Sequence, residues 1–543
     1  MNAAQVSNLA RLLTHTARLF PERSALIHGE QRWTWAQIDA RVDALVAGLR
    51  ALGVQQGDRI LLQSRNNLAL FESGWAAFRM GCVWVPTNYR LTPHELAYLG
   101  QSSGAVVMIA ETLFAEHVAA VRAASPALRQ VLWVGERPEL GSAEQDYEAL
   151  VQQHLGASGF EATVAHDDPL WFFYTSGTTG KPKAAMLTHG QMAFVVTNHL
   201  ADLIPGTDER DCSIAVAPLS HGAGIHALLN VARGAATVLM PGDKLDPALF
   251  WQLVAQHRVS NLFTVPTIVK MLVEHPAVDQ HDHSSLRFMV YAGAPMYRAD
   301  QRLALRKLGP VLVQYFGLGE VTGCITVLPA HMHSADDDHP DANIGVCGRP
   351  RIGMELAILD AAMRPLASGE VGEICVRGPA VFNGYHHNPE ATAKALRGGW
   401  FHTGDLGRLD ARGMLSITGR ESDMYISGGS NVYPRECEDL LLEHPGVAEV
   451  AVLGVPDRHW GEVGVAVVVR RAPALGTANM ADAPPVDEAT LLAFIAGKLA
   501  RYRWPRQVVF WDALPKSAYG KVSKNEVRRL LIERGDLPVV STD

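Results

Sequence analysis

The sequence predicts an α/β protein: a large amino-terminal part of two α/β subdomains with mostly parallel sheets and a small β-rich subdomain, followed by a small α+β domain. Short apolar runs rich in β-branched and aromatic residues recur along most of the chain, and helical patterns separate many of them. Apolar strands that alternate with helices are typical of parallel sheets covered on both faces. The β-rich subdomain is predicted from a change near residue 341, where the strands become shorter and glycine-rich.

The predicted strands of the large part lack the polar alternation of a half-exposed sheet. We therefore expect them to be buried on both faces. The clearest are RILLQS (59–64), VVMIA (106–110), QVLWV (130–134), LWFFYTS (170–176), NLFTVP (261–266), FMVYAG (288–293) and VLVQYFG (311–317).

One helix can be delimited by its caps. Apolar residues recur at helical spacing from Trp35 to Leu52,. Thr34 and Gln37 have the spacing of a capping box, in which each side chain accepts a hydrogen bond from the backbone of the other residue. Gly53 stands where the end of a helix favours glycine. The sequence therefore predicts a helix over residues 35–52.

The β-rich subdomain and the last domain are predicted from local pattern. GEVGEICVRG (369–378) is a short, glycine-flanked strand of the kind expected in the β-rich unit. The last domain contains two apolar strands, a helix over 488–502 and an Ala- and Pro-rich surface loop at 470–487,. We place the domain boundary after residue 421, which divides the chain into 1–421 and 422–543.

Composition and charge exclude several classes of protein. Of the 543 residues, 48% are hydrophobic and 19% charged, which is the balance of an ordinary globular protein,. The net charge of −8 argues against a general nucleic-acid binder and against docking on an anionic membrane,. No apolar run approaches the roughly 18 residues that span a bilayer, and the amino terminus lacks the apolar core of a secretory signal. We expect a cytoplasmic protein.

Neither the cysteines nor the histidines predict a metal site. The six cysteines are scattered and form no C-x-x-C pair, which is typical of a reducing compartment and argues against structural zinc,. HPAVDQHDH (275–283) and HMHSADDDHPD (331–341) contain side chains that could bind a metal. Both segments are polar, and we expect plain loops.

The segment YTSGTTGKPKAAM (174–186) follows a buried strand and is rich in glycine and hydroxyl residues. The backbone N–H groups of such a turn can converge on phosphate oxygens. The segment lacks the Walker spacing G-x-x-x-x-G-K-[ST]. The alternative is a polar turn after a buried strand. The candidate phosphate ligands are Thr175, Ser176, Gly177, Thr178, Thr179, Gly180 and Lys181.

QYFGLGE (314–320) places Phe316 and Glu320 just after another predicted strand. Ligands of α/β sheets bind beyond the carboxyl ends of the strands. Glu320 is a candidate ligand of Mg²⁺, which favours carboxylate oxygens and usually retains substrate phosphates as further ligands. Phe316 could stack on a purine, although packing in the core is the more common role of such a residue.

Three charged residues complete the set of candidate ligand-binding residues. Asp405 lies in the glycine turn GWFHTGDLG (399–407), and Arg420 ends TGR. A carboxylate held in a pocket can bind both hydroxyls of a ribose, although an Asp in such a turn often serves the turn alone. Lys521 follows a glycine near the end of the chain, where a single lysine is most often solvated.

Taken together, YTSGTTGKPK, Y/F-G-x-x-E, TGD, GR and a terminal GK, in this order and spacing, resemble the adenylate-forming superfamily. This superfamily includes acyl-CoA synthetases, luciferase-like enzymes and the adenylation domains of peptide synthetases. The resemblance covers nearly the whole chain. Further segments that carry it are FPERSALI (20–27), PTNYRLTPHEL (86–96), APLSHGAG (217–224), YAGAPM (291–296), GVCGRP (345–350) and SGGSNVYPRECE (427–438).

The resemblance implies a two-step reaction. A carboxylate attacks the α-phosphate of Mg·ATP to give acyl-AMP and pyrophosphate, and a thiol then takes the acyl group. The loop 174–183 would hold the β- and γ-phosphates, and Lys521 would bridge the carboxylate and the α-phosphate. The other implied roles are Mg²⁺ for Thr175 and Glu320, adenine for Gly293, Ala294, Pro295 and Phe316, ribose for Asp405 and Arg420, and the acid pocket and thiol entry for His221.

The resemblance also implies a mobile carboxyl-terminal domain that presents Lys521 in the first step and residues 427–432 in the second. Gly428 and Gly429 suit close approach of the backbone to the pantetheine arm of CoA. Two positions depart from the superfamily pattern. Gly319 replaces the usual threonine before the magnesium glutamate, a loss that Thr322 or water could offset. Ser422 stands at the hinge, which is usually Asp or Lys, and we expect the hinge still to work.

The positions that the resemblance assigns to the acid pocket are small, which predicts room for an aryl ring or a medium alkyl chain. None of them is a lysine or arginine that could pair with a second carboxylate, so a monocarboxylic acid is favoured. Apart from His221, they are Gly222, Ala223, Gly224, Ala292, Gly317, Gly319 and Gly323.

We therefore predict an AMP-forming acid–thiol ligase that uses ATP, Mg²⁺ and CoA to convert a medium-chain or aryl acid into its CoA thioester. One alternative is an acyl-AMP ligase that loads a separate carrier protein, and another is a non-catalytic binding homologue. The predicted partners are small molecules, with no nucleic acid and no stable membrane insertion. A homodimer is left open.

Overall fold

The computed structural model describes residues 5–136, 139–175, 181–242, 244–294, 296–339, 342–471, 486–516 and 522–537. The amino-terminal third alternates strands and helices. Its elements are β1 (Gln5–Val6), α1 (Arg11–Leu19), β2 (Ser24–His28), β3 (Gln31–Thr34), α2 (Trp35–Ala51), β4 (Arg59–Gln63), α3 (Leu68–Arg79), β5 (Val83–Pro86), α4 (Pro93–Ser103), β6 (Val107–Glu111), α5 (Ala115–Ala124), β7 (Gln130–Val134), β8 (Glu144–Asp146), α6 (Tyr147–Gln153) and β9 (Val164–Ala165).

The middle of the chain continues the same alternation. Its elements are β10 (Pro169–Thr175), β11 (Lys183–Thr188), α7 (His189–Asp202), β12 (Cys212–Ala215), α8 (Gly222–Arg233), β13 (Ala236–Leu239), α9 (Pro247–His257), β14 (Asn261–Thr264), α10 (Pro266–Glu274), β15 (Phe288–Tyr291), α11 (Arg298–Leu308), β16 (Leu312–Phe316) and β17 (Thr326–Leu328).

The remaining elements are shorter and belong to two smaller units. They are β18 (Arg349–Pro350), β19 (Glu355–Leu359), β20 (Gly372–Arg377), α12 (Pro389–Ala395), β21 (Phe401–Leu409), β22 (Leu415–Arg420), β23 (Tyr425–Ser427), β24 (Ser430–Val432), α13 (Pro434–Leu442), β25 (Val447–Asp457), β26 (Gly461–Arg470), α14 (Glu488–Ile495), β27 (Pro505–Trp511) and α15 (Lys524–Glu533).

Two large sheets form the centre of the molecule. One has seven strands in the order β11-β10-β5-β4-β6-β7-β8, and the other has nine in the order β18-β17-β16-β15-β14-β12-β13-β2-β3. All neighbours are parallel except at the edges, where β11, β17, β18 and β3 run antiparallel. The predicted parallel α/β architecture is confirmed.

Two smaller sheets follow. Strands β19 to β22 form an antiparallel four-stranded sheet, which confirms the predicted β-rich subdomain. A last sheet contains β24-β23-β26-β25, with β27 paired to β26. None of the helices in the described part of the chain has the length and apolar character needed to cross a membrane.

The local predictions differ in accuracy. Helix α2 has the predicted capping box between Thr34 and Gln37, and Gly53 follows its end with a φ of 80°. The helix predicted over 488–502 is too long, since α14 ends at Ile495. Gly497 has a φ of 79°, a left-handed conformation that ends a helix,.

A buried ionic network joins the helices that cover the seven-stranded sheet. Arg41 of α2 binds both Glu72 of α3 and Glu148 of α6, and the Tyr147 hydroxyl donates to Glu72 at 2.9 Å. The side chain of Glu72 is fully buried, whereas that of Glu148 is 53% exposed. Burial raises the pKa of Glu72, and the hydrogen bonds from Arg41 and Tyr147 oppose that rise,.

We predict that Arg41→Met destabilises the amino-terminal domain by about 3–5 kcal/mol, because it leaves the charge of Glu72 buried without a cation. Glu148→Gln is the matched control, since it removes the exposed partner of the same arginine and is expected to cost less than about 1 kcal/mol. Urea unfolding of both variants measures the difference. Equal losses of unfolding free energy in the two variants would contradict the larger contribution that we assign to the Arg41–Glu72 pair.

Candidate active site

The carboxylate of Glu320 is the best-defined feature of the site. Thr175, the last residue of β10, and Tyr385, between β20 and α12, each donate a hydroxyl hydrogen bond to Glu320 Oε1 at 2.9 Å. Burial and the neighbouring carboxylate raise the pKa of Tyr385, so its hydroxyl remains a donor,. These bonds join the seven-stranded sheet to the turn that follows β16 in the nine-stranded sheet.

The second oxygen of this carboxylate has no partner among the described residues. Glu320 is buried, and Oε2 makes no hydrogen bond. A buried carboxylate oxygen without a positive partner is costly. Mg²⁺ binds carboxylate oxygens and leaves its other positions to phosphates and water. Glu320 and Thr175 therefore fit the magnesium site that the sequence predicts, with Oε2 as the free ligand.

The predicted phosphate loop is described only at its two ends. Ser176, Gly177, Thr178, Thr179 and Gly180 lie outside the described residues.

At its first end, Thr175 contacts Glu320. At its second end, Lys181 Nζ lies 5.3 Å from the ring centroid of Tyr98, whose hydroxyl donates to the Pro182 carbonyl at 3.2 Å. Lys183 Nζ lies 5.4 Å from the ring centroid of Tyr385. The loop thus begins beside the free carboxylate oxygen and ends beside two lysines.

The side chain of His221 lies at the start of α8, against Phe173 of β10. The two rings are 4.3 Å apart between centroids. Phe173 also explains Gly319, because a Cβ there would lie 2.6 Å from the phenyl ring and 2.9 Å from Thr175. Thr322, the proposed substitute for the missing hydroxyl, is buried and has a φ of 49°.

The glycines assigned to the acid pocket do not leave empty space. At each of them, protein atoms already occupy the volume that a Cβ would need, so their role is close packing. Room for an acid must come from elsewhere, and Ala223 and Ala292 are buried. The atoms in contact are the Phe263 ring at Gly222, the Leu219 carbonyl at Gly224, the Gly323 backbone at Gly317, the Phe173 ring at Gly319 and the Tyr315 ring at Gly323.

The predicted adenine residues lie beyond two neighbouring parallel strands. Gly293 and Ala294 follow β15, Gly293 with a φ of 85°, and Phe316 ends the adjacent strand β16. Phe316 is half-buried and packs against the core, which is the alternative role given above. Pro295 lies outside the described residues.

The predicted ribose pair is brought together by strand register. Asp405 of β21 stands opposite Arg420 of β22, and Arg420 Nε lies 3.3 Å from the mostly buried Asp405 carboxylate. The Gly404 N–H, one residue before, donates to Glu373 Oε1 at 3.2 Å. His402 Nδ1 lies 2.7 Å from Glu373 Oε2. Glu373 and His402 therefore support the turn that carries Asp405.

Sequence reasoning missed Tyr385, Glu373 and His402. Within the described ranges, Glu373, Cys375 and His402 are the one group of three metal-capable side chains close enough together to share an ion. Hydrogen bonds within the protein already occupy Glu373 and His402, including one from Arg397 at 2.9 Å. We read the trio as structural support.

The candidate hinge and CoA residues come later in the chain than Arg420 and lie on other elements. Gly428 and Gly429 turn between β23 and β24 with φ of 55° and 80°, and a Cβ at Gly428 would lie 2.7 Å from the Trp460 ring. Ser422 is exposed in a 3₁₀ turn, where its hydroxyl lies 3.3 Å from Asp423. Lys521 lies outside the described residues.

The chain is similar to known enzymes over nearly its whole length. Family models match residues 13–386 (AMP-binding enzyme) and 436–521 (AMP-binding enzyme C-terminal domain). Feruloyl-CoA synthase of an Amycolatopsis species is 38% identical over 515 residues, covering 94% of this chain and 97% of that protein. Long-chain-fatty-acid–CoA ligase FadD13 of Mycobacterium tuberculosis is 32% identical over 531 residues, covering 96% and 98%.

A solved structure shares the fold. The anthranilate CoA ligase AuaEII, in complex with anthranoyl-AMP, superposes with a TM-score of 0.85 at 24% identity and covers 98% of each chain. The fold and the family models define an adenylate-forming enzyme. The chain belongs to the AMP-binding enzyme family, and within it is an AMP-forming acid–thiol ligase of the acyl-CoA synthetase type, which uses ATP and CoA.

We predict that Gly319→Ala lowers stability by about 1–3 kcal/mol, because the added methyl overlaps Phe173, and that it also slows turnover by displacing Phe173 against His221. Phe173→Leu in the same chain should recover part of both losses. Gly74→Ala in α3 is the control, since its Cβ would meet Trp84 at an ordinary 3.4 Å. Thermal melting and CoA-dependent turnover measure the effects. Wild-type stability and wild-type turnover in Gly319→Ala would contradict the close packing around residue 319.

Proposed function

We propose that the chain activates a monocarboxylic acid, either aryl or medium-chain, as acyl-AMP at the Glu320 site and transfers the acyl group to CoA. The observation that carries this proposal is the buried, unpartnered Oε2 of Glu320 beside the start of the phosphate loop. When bound, Mg²⁺ would neutralise charge on the phosphates. Thr175 and Tyr385 hold the carboxylate in the orientation that leaves Oε2 free for the ion.

In the first step, a carboxylate oxygen of the acid bonds to the α-phosphorus of ATP and the bond to pyrophosphate breaks. Both reactants are anions, so a cation between them is needed. One cation at about 4 Å contributes roughly 4 kcal/mol at an effective dielectric constant near 20. We assign this role to Lys521. Lys181 and the loop hold the β- and γ-phosphates, and Asp405 with Arg420 holds the ribose.

In the second step, the thiol of CoA attacks the acyl carbon and AMP leaves. We assign passage of the pantetheine arm to the turn at Gly428 and Gly429. At Gly429 no described atom lies within 4 Å of the position of a Cβ, so the backbone can be approached closely there,. The chain then works as two domains, 1–421 and 422–543, with Ser422 at the hinge. The exposure of Ser422 and the lack of a charge on its side chain are compatible with rotation there.

The relatives favour CoA over a carrier protein as acceptor, since the two reported above are named for CoA thioesters. Their acids differ in kind: one name specifies a feruloyl group and the other a long-chain fatty acid. An aryl or alkyl acid with a single carboxylate is common to both names.

Pyrophosphate release with Mg·ATP and a panel of aryl, aliphatic and dicarboxylic acids, each with and without CoA, tests the proposal. We expect sustained turnover only with CoA, and only for monocarboxylic acids. A stoichiometric burst that CoA does not affect would support a carrier-loading enzyme. No release with any acid would support a non-catalytic homologue.

We predict that Lys521→Ala slows acyl-AMP formation at least about a hundredfold, because the developing charge loses its cation. Thioester formation from supplied acyl-AMP should persist. Lys516→Ala is the matched control, since Lys516 lies five residues before Lys521 in the sequence and forms an ion pair with Glu449 at the surface. Equal losses in both half-reactions would contradict the assignment of Lys521 to the first step.

A further inference from the structure

The loop between β4 and α3, residues 64–67, reaches from the seven-stranded sheet to a turn of the nine-stranded sheet. Asn66 makes this connection with both polar atoms of its side chain. Its Nδ2 donates to the Ala217 carbonyl at 2.9 Å, and its Oδ1 accepts from the Leu219 N–H at 2.8 Å. Ala217 and Leu219 lie between β12 and α8. Asn66 therefore provides a second link between the two large sheets, separate from the one at Glu320.

The loop that carries Asn66 is itself held at both ends. Glu111, the last residue of β6, is buried and accepts from the Arg65 guanidinium at 2.8 Å. Asn67 caps α3 with its Oδ1, which accepts a backbone N–H at 2.9 Å, and its Nδ2 donates to the Ser64 hydroxyl oxygen at 2.8 Å. Residue 66 lies between these two anchors. Its side chain therefore has a fixed position from which it can hold the neighbouring turn.

The turn between β12 and α8 leads directly into His221. The His221 N–H donates to the Pro218 carbonyl at 3.1 Å. Leu219 is buried, and a Cβ at Gly224 would lie 1.9 Å from its carbonyl oxygen, so the turn packs tightly against the first residues of α8. Closely packed segments transmit a shift to their neighbours. Movement of the turn would therefore move His221 relative to Phe173, whose ring lies 4.3 Å away between centroids.

The two bonds of Asn66 need an amide side chain. An asparagine presents both a donor and an acceptor, and the two backbone groups that it meets are an acceptor and a donor. Aspartate has nearly the same shape, but when ionised it only accepts. At position 66 its carboxylate would face the Ala217 carbonyl, so one hydrogen bond would be replaced by repulsion. Asn66→Asp therefore disrupts the contact with little change of volume.

We propose that Asn66 is a positioning residue: it sets the place of His221, and thereby the efficiency with which the acid is activated and passed to the thiol. This assignment rests on the proposed function and on the role in the acid pocket and thiol entry that the resemblance implies for His221. The hydrogen bonds of Asn66 go to Ala217 and Leu219, and not to the residues assigned to phosphate, ribose or adenine. ATP binding should therefore not depend on Asn66.

The first measurement compares Asn66→Asp with wild type in the CoA-dependent reaction of an accepted monocarboxylic acid. We expect kcat/KM for the acid to fall about ten- to a hundredfold, because a small misplacement of a group beside the reactants is costly. The KM for ATP should keep its wild-type value. Asn66→Ala removes both hydrogen bonds without adding a charge, and it should show the same division between acid and ATP.

A double-mutant cycle with His221 separates positioning from a general loss of structure. His221→Ala should itself lower kcat/KM for the acid. If Asn66 acts through His221, adding Asn66→Asp to His221→Ala causes little further loss of kcat/KM. The thermal midpoint should still fall when Asn66→Asp is added, since the bonds to the turn are lost in either background. A contact that only stabilises the fold predicts equal changes of kcat/KM in both backgrounds.

Asn8→Asp is the matched control. Asn8 also ties distant backbone segments together, since its Nδ2 donates to the Phe78 and Ala162 carbonyls at 2.8 and 3.2 Å. Its Oδ1 accepts from the Ala10 N–H at 3.0 Å. The same substitution there removes the same kind of bond in a segment that carries none of the candidate site residues. We expect a lower thermal midpoint and a wild-type kcat/KM for the acid.

The proposal is wrong if both Asn66 variants keep the wild-type kcat/KM for the acid, if the KM for ATP rises, or if Asn66→Asp causes the same loss in both backgrounds. Wild-type kinetics of His221→Ala would also overturn it. In each of these cases CoA-dependent turnover by the wild-type enzyme leaves the proposed function standing. Absence of turnover with every acid would overturn both. Thermal melting shows whether the variants fold, and Asn66→Ala provides the test where Asn66→Asp does not.

Discussion

The carboxylate of Glu320 is the constraint on which the site depends. Two hydroxyl groups from separate parts of the chain hold one oxygen, and the other oxygen is buried with no partner in the described part of the protein. A cation would therefore stabilise this arrangement. The bonds also require the end of β10, the turn after β16 and the segment before α12 to meet at one point. The two large sheets are thus linked where the phosphates are proposed to bind.

Close packing around this carboxylate explains the unusual residue beside it. Phe173 lies against His221, and its ring fills the volume that a side chain at position 319 would need. The departure from the superfamily threonine is therefore coupled to the aromatic residue two positions before Thr175. The other glycines assigned to the acid pocket have the same role. Where each of them lacks a side chain, an aromatic ring or a backbone segment packs closely against it.

The sequence predicts those features that depend on neighbours along the chain. The capping box of α2 joins residues three apart, and the apolar strands are each recognisable alone. Tyr385 is 65 residues from Glu320, and no local pattern connects them. Glu373 and His402 meet only through the register of β20 and β21. The predicted end of α14 is wrong because the alanines on either side of Gly497 favour a helix, whereas Gly497 itself adopts a left-handed conformation.

The site residues also divide into those that a local motif predicts and those that only the fold brings together. Asp405 and Arg420 follow from motifs, and the antiparallel register that makes them partners is visible only in the fold. Thr175 belongs to the loop motif, whereas its hydrogen bond to Glu320 Oε1 joins residues 145 apart and is visible only in the structure.

The most direct test of the adenylate mechanism follows the oxygen atom that forms the bond to phosphorus. An accepted acid, labelled with ¹⁸O in both carboxylate oxygens, is turned over with ATP and CoA, and the products are examined by mass spectrometry. Attack of the carboxylate on the α-phosphorus predicts one ¹⁸O atom in AMP and none in pyrophosphate. Label in pyrophosphate or inorganic phosphate, or AMP without label, would contradict the formation of acyl-AMP.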